Sequence, residues 1–253
     1  AAYPIYASAF YALSVLPEDF HEWEYLANSR TPEAYNKIVK GNADIIFVAQ
    51  PSGGQKKRAE ESGVTLIYTP FAREAFVFIV NADNPVNSLT EQQVRDIFSG
   101  AITNWRTVGG NDQEIQTWQR PEDSGSQTVM QSQVMKNVRM ISPQETEVAS
   151  MMEGMIKVVA EYRNTNNAIG YTFRYYATQM NDDKNIKLLA INGIAPTAEN
   201  IRNGKYPYIV DAFMVTQENT TSETQKLLEW FLTPQGQSLV EDVGYVPMYK
   251  TLP

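Results

Sequence analysis

The densest apolar runs of this chain are strand-sized, and well-marked helix starts stand between them. Asp44 to Ala49 holds the unbroken run Ile45-Ile46-Phe47-Val48-Ala49, and Ala75 to Val80 is apolar at every position. Unbroken apolarity is the pattern of a strand covered on both faces, as in a buried parallel sheet. Thr65 to Tyr68 reads the same way, and later strands are expected at Ile115 to Trp118, Ile169 to Thr172, Ile186 to Ile191 and Ile209 to Val215. Thr31-Pro32-Glu33 sets a cap, a first-turn proline and an acid in order. Thr90 and Gln93 fit a capping box, and Gly100 stops that helix after Ile97 and Phe98. Ser222 opens a helix with Leu227, Leu228, Phe231 and Leu232 on its apolar face, and Gln235 to Val243 continues to a stop at Gly244. Alternating strands and helices imply an α/β fold.

Two segments read as crossovers rather than ordinary loops: Pro70-Phe71-Ala72-Arg73-Glu74, ahead of a strand that starts a second sheet, and Gly204-Lys205-Tyr206-Pro207-Tyr208. A chain of 253 residues is long enough for two small domains. Crossing twice between two lobes gives lobe 1 as residues 1–74 plus 210–253, and lobe 2 as residues 75–209. A cleft, and with it a ligand, is expected where the chain crosses.

The stretch with the clearest chemistry is Trp118-Gln119-Arg120-Pro121-Glu122-Asp123-Ser124-Gly125-Ser126-Gln127-Thr128. An extended segment runs into one arginine, a polar turn follows, and a helix is expected from about Ser126 to Asn137. This points backbone N–H groups, two hydroxyls and a guanidinium at one spot. A tetrahedral oxyanion suits such a spot, because free N–H groups, the helix dipole and a forked cation all favour negative charge. The same residues admit a plainer reading. Arg120 can pair with Glu122 or Asp123 in a solvated turn, and Ser124 and Ser126 can be N-caps.

Other classes are poorly supported. The net charge of −8 argues against nucleic acid, which needs a basic face. It also means that local donors, not the overall field, would hold an anion. No cysteine is present, which excludes disulfides and thiolate chemistry. The one histidine, His21, lies between Phe20 and Glu22 near Trp23 and reads as a surface or packing residue. Serine hydrolysis has no base to use, and no Gly-x-Ser-x-Gly, Ser-x-x-Lys or phosphate-loop signature occurs, so no enzyme, cofactor or metal is expected. The strip Tyr171 to Tyr176 reads as packing rather than a base-stacking platform, and Asp182-Asp183 as a charged turn rather than a calcium loop. No apolar run approaches the ~20 residues that span a bilayer. The first residues read as the start of a strand with no leader, as if the chain were trimmed.

Further landmarks carry a family resemblance. They are Asn81-Ala82-Asp83-Asn84-Pro85, Leu89-Thr90 through Gly100, Ile102-Thr103-Asn104-Trp105 with Gly109-Gly110, the Arg120 to Ser126 turn, Ala168-Ile169-Gly170-Tyr171, Asn203-Gly204-Lys205-Tyr206-Pro207, and Gly236-Gln237 with Gly244-Tyr245-Val246-Pro247. In this order they resemble the phosphate-binding proteins of ABC transporters. The resemblance implies a two-lobed periplasmic-binding-protein-like fold (type II) with two hinge crossovers and an interlobe cleft. It implies a monomeric, extracytoplasmic protein, in the periplasm or tethered at the cell surface. That protein would capture inorganic phosphate or a similar oxyanion and pass it to ABC permease subunits. Its expected ligand-binding residues are Ser8, Ala9, Phe10, Thr31, Arg120, Ser124, Gly125 and Ser126.

Two departures from the family stand out. The first loop reads Tyr6-Ala7-Ser8-Ala9-Phe10-Tyr11, so Ala9 takes the usual threonine position and Phe10 offers only its N–H. After Ala49 the family carries an aspartate that accepts a proton from bound phosphate, whereas this chain has Gln50. A related branch of the family also lacks that aspartate. A glutamine offers donors as well as an acceptor, so it separates protonated phosphate from sulfate less sharply. These departures motivate two alternatives: a sensory or adhesion module of a surface protein, and a carrier of sulfate, molybdate or an organic phosphate.

Overall fold

The computed structural model describes residues 27, 29–136, 138–143, 152–161, 167–180 and 183–249. In chain order these form α1 (Thr31–Val39), β1 (Ile46–Val48), α2 (Gly53–Glu61), β2 (Leu66–Asn81), β3 (Ser88–Leu89), α3 (Glu91–Ser99), a 3-10 turn (Trp105–Val108), β4 (Gln116–Thr117) and α4 (Gly125–Val129). The last continues as a π-helix (Met130–Met135), followed by α5 (Met152–Glu161), β5 (Ala168–Phe173), a π turn (Tyr176–Met180), β6 (Ile186–Leu188), β7 (Ala190–Ile191), α6 (Ala198–Arg202), β8 (Ile209–Gln217), α7 (Ser222–Phe231), α8 (Pro234–Val243) and β9 (Val246–Pro247). They separate into two compact units, one holding residues up to Arg73 and from Asp211 onward, the other Glu74–Val210.

In the first unit α1 lays Tyr35 and Ile38 against Ile46 and Val48 of β1 and Val215 of β8. Tyr35 fixes the pairing of helix and strand by donating its hydroxyl to the carbonyl of Ala49 at 2.9 Å. β1 runs antiparallel to β8, with Ile46 opposite Val215 and Val48 opposite Phe213. Phe47, Phe71 and Phe231 meet edge to face with ring centres 5.3–5.6 Å apart, which ties β1, β2 and α7 together. Gln237 of α8 is buried and completes its bonding. It donates to the carbonyls of Phe71 (2.9 Å) and Phe231 (2.8 Å) and accepts from the N–H of Met248 (2.6 Å).

In the second unit β2 pairs antiparallel with β5, Phe78 facing Tyr171 and Val80 facing Ile169. β5 in turn pairs in parallel with β4, Thr117 facing Ile169. Helix α5 covers β5 at Gly170, where a Cβ would stand 2.4 Å from Met155 Sδ. Glu74, the first residue of this unit, is buried. Its carboxylate accepts from the N–H of Ala75 (2.7 Å) and of Tyr175 (2.9 Å). Burial pushes its pKa up to about 7, against the opposing pull of those two bonds and of Arg174.

The structure corrects several expectations. The runs at Asp44–Ala49 and Ala75–Val80 lie in antiparallel pairs, not parallel ones. They are unbroken because both their faces are covered, which pairing direction does not affect. The segments read as two strands with a crossover at Pro70–Glu74 form one 16-residue strand, β2. Its registered pairing with β9 begins at Ala72, past the proline, so the missing N–H of Pro70 breaks no bond of that ladder. Ile186–Ile191 is split into β6 and β7 at Leu189, whose N–H turns to the carbonyl of Phe78. Arg30, not Thr31, is the N-cap of α1, whereas α7 begins at Ser222 as expected, capped by Thr221. The Thr90–Gln93 capping box and the left-handed stop at Gly100 (φ 83°) are present as expected.

Candidate anion-binding turn

The turn is placed by β4. That strand adds to β5 in parallel, and its last backbone contact is the N–H of Trp118 on the carbonyl of Ile169, at 2.9 Å. Two residues further on, the N–H of Arg120 meets a side chain, the hydroxyl of Tyr171, at 3.0 Å. The chain then reverses through Pro121 to Asp123. The carbonyl of Pro121 accepts from the N–H of Ser124, and Asp123 takes a left-handed conformation (φ 63°). Asp tolerates that region better than most residues, and the reversal delivers the chain into the start of α4.

A helix leaves its first N–H groups without intrahelical partners. Here Ser124 is the N-cap, and its Oγ accepts from the N–H of Gln127 at 3.2 Å. The N–H of Thr128 makes the first helical bond, to the carbonyl of Ser124. The N–H groups of Gly125 and Ser126 therefore remain for a ligand. The Oγ of Ser126 is buried and has no hydrogen-bond partner. Capping consumes only an acceptor site of Ser124, so its O–H can still donate. Capping and anion binding, which the sequence sets in competition, would use different atoms of Ser124.

Arg120, Ser124, Gly125 and Ser126 are thus brought together, and all four are buried. Arg120 is 8% exposed, so its side chain is not the solvated group that the plainer reading supposed. Arg120 and Gln127 also line a cavity of about 510 Å³, together with Gln131, Met135, Val138 and Ile141. Thr31 is buried in the first turn of α1, in the other unit, and does not cap its helix. Ser8, Ala9, Phe10 and His21 lie outside the described residues.

The sequence missed Tyr171 and Gln127. Tyr171 Oη donates to Gln127 Oε1, which also receives the N–H of Arg120 at 3.3 Å. Burial holds the Tyr171 phenol well above its usual pKa, with the Arg120 N–H and charge opposing, so the hydroxyl keeps its proton. Neither residue type signals a site locally. Tyr171 read as core and surface packing, and Gln127 stood in the informative stretch without a role of its own. Among the described residues no group of three or more His, Cys, Asp or Glu could hold a metal ion. No helix there is long and apolar enough to cross a membrane.

Comparison with known proteins gives a consistent picture. The chain is 29% identical over 209 residues to the phosphate-binding protein PstS of Bacillus subtilis, covering 82% of this chain and 64% of that relative's length. It is 26% identical over 218 residues to PstS of Borreliella burgdorferi, covering 84% of this chain and 74% of that protein. Among solved structures it is similar to a provisionally assigned phosphate ABC transporter substrate-binding protein from Clostridium perfringens with bound phosphate. The TM-score there is 0.73 at 22% identity, over 98% of this chain and 96% of that one. The fold is the two-lobed α/β fold of these proteins. Residues 19–235 match the profile of the PBP superfamily domain, and the chain belongs to that family.

Proposed function

We propose that this protein is an extracytoplasmic solute-binding protein that captures inorganic phosphate, or a close oxyanion, for an ABC importer. The observation that carries this reading is the buried Oγ of Ser126, which has no protein partner beside two helix-start N–H groups and a buried arginine. A buried hydroxyl left unpaired costs about 1–3 kcal/mol, and an oxyanion at this spot would relieve that cost. The matched relatives from Bacillus subtilis and Borreliella burgdorferi are named as phosphate-binding proteins, which supports the same cargo. The anion would be held by neutral dipoles and one guanidinium. The protein would act as a monomeric receptor that hands its cargo to permease subunits, with no catalytic step.

Titration calorimetry with phosphate and then sulfate, on protein unfolded and refolded to strip carried-over anion, tests this. Phosphate heat with sulfate silent is the expected outcome. Binding of both anions would favour the reading in which Gln50 in place of the family aspartate leaves the two undistinguished. No heat with either would favour the sensory or adhesion module. Arg120→Ala should abolish phosphate binding while the melting temperature of the ligand-free protein moves by only a few degrees.

A further inference from the structure

We infer that Tyr171 and Gln127 are positioning residues that latch Arg120 to the start of α4, so that guanidinium and helix N–H groups face one anion together. This rests on the oxyanion reading above. Gln127 works on both sides of the turn. Its backbone N–H bonds to the Oγ of Ser124 at 3.2 Å, while its side-chain oxygen receives the N–H of Arg120 at 3.3 Å. Tyr171 closes the triangle, accepting from the same N–H at 3.0 Å and donating to the same Gln127 oxygen. Tyr171 is fully buried in β5, with its ring packed against Phe76, Phe78 and Phe98.

The latch answers a specific problem. β4 spans only Gln116–Thr117, and two residues past its bond at Trp118 the N–H of Arg120 turns from the backbone ladder to these two side chains. The turn between Arg120 and Ser124 includes a left-handed residue and a backbone bond from the N–H of Ser124 to the carbonyl of Pro121. Loosening the triangle would widen the set of conformations open to the short loop between arginine and helix start. An anion would then have to order that loop on binding, which weakens affinity. Tyr171 and Gln127 fix the spacing in advance and need touch no ligand atom.

The experiment is calorimetric titration with inorganic phosphate of the wild type, Tyr171→Phe, Gln127→Met and the double variant. It is accompanied by ligand-free melting curves and by the amide exchange rate of Arg120. Each single variant should raise the Kd roughly tenfold, with a melting shift of a few degrees and faster exchange at Arg120. The double variant should be no worse than the weaker single, because one latch is broken once. An unchanged Kd in either single variant, or losses that multiply in the double, would overturn the latch. Should Tyr171→Phe not fold, Gln127→Met carries the test alone. If the wild type gives no heat with phosphate, the oxyanion reading fails and the latch is judged on exchange. Slow exchange at Arg120 in the wild type and fast exchange in the variants sustains it, and fast exchange in the wild type ends it.

Discussion

The carboxylate of Glu74 accepts the backbone N–H of Tyr175 at 2.9 Å, which joins the start of one unit's stretch of β2 to the chain just beyond β5. This acid has a pKa pushed up to about 7 by burial, from an ordinary 4.5. Between those values the folded protein holds a proton that the unfolded chain has released. Its contribution to stability is therefore present at low pH and is lost as pH rises through that window. Urea unfolding of wild type and Glu74→Gln from pH 4.5 to 8 should show the difference, wild type minus variant, falling with pH by up to about 1.4 kcal/mol per unit. A flat difference would show that Glu74 titrates as in the unfolded chain, and a rising one that folding lowers its pKa; either would contradict the upward shift.

Ser126→Ala separates binding from folding. The buried hydroxyl has no protein partner, so its loss should leave ligand-free stability unchanged or slightly raised. Phosphate affinity should fall roughly ten- to hundredfold, the value of a hydrogen bond to a charged group. Equal phosphate affinity in wild type and variant would take Ser126 out of the site.

Gln237→Leu keeps size and burial but strands the carbonyls of Phe71 and Phe231 and the N–H of Met248. The expected loss is on the order of 3 kcal/mol or more in unfolding free energy. A denaturant midpoint close to that of the wild type would mean that water or relaxed backbone satisfies these groups.

The glycines at 170 and 236 should respond differently to alanine. A Cβ at Gly170 meets the movable end of Met155, whereas at Gly236 it would lie 2.3 Å from the carbonyl oxygen of Trp230 and 2.6 Å from the Cα of Phe231. Gly170→Ala should cost about 1 kcal/mol and Gly236→Ala about 3 kcal/mol or more. Thermal melts of the two variants would show the order, and the reverse order would contradict the packing described.

What could be read from the sequence follows the range of the interaction. The capping box of Thr90 and Gln93 and the stop at Gly100 are local chemistry, and they stand where expected. The reversal between Arg120 and Ser126 was legible for the same reason. Strand direction was not, because apolarity reports covering rather than orientation, and so β1 and β2 were read as parallel where they pair antiparallel. Pro70 to Glu74 read as a crossover, yet it lies inside one continuous strand. The contribution of Tyr171 to the turn depends on a residue 51 positions away from Arg120, and no spacing rule reaches that far.

The pairing of Ile46 with Val215 sets an order of events during synthesis. Every residue of the unit Glu74–Val210 leaves the ribosome before the partner of β1 has been made. That unit can complete its own pairings, β2 with β5 and β5 with β4, from chain already released. The apolar edge of β1 must wait. Any factor that guards the nascent protein would have its longest task there, at Ile46 to Val48, and not at the turn around Arg120.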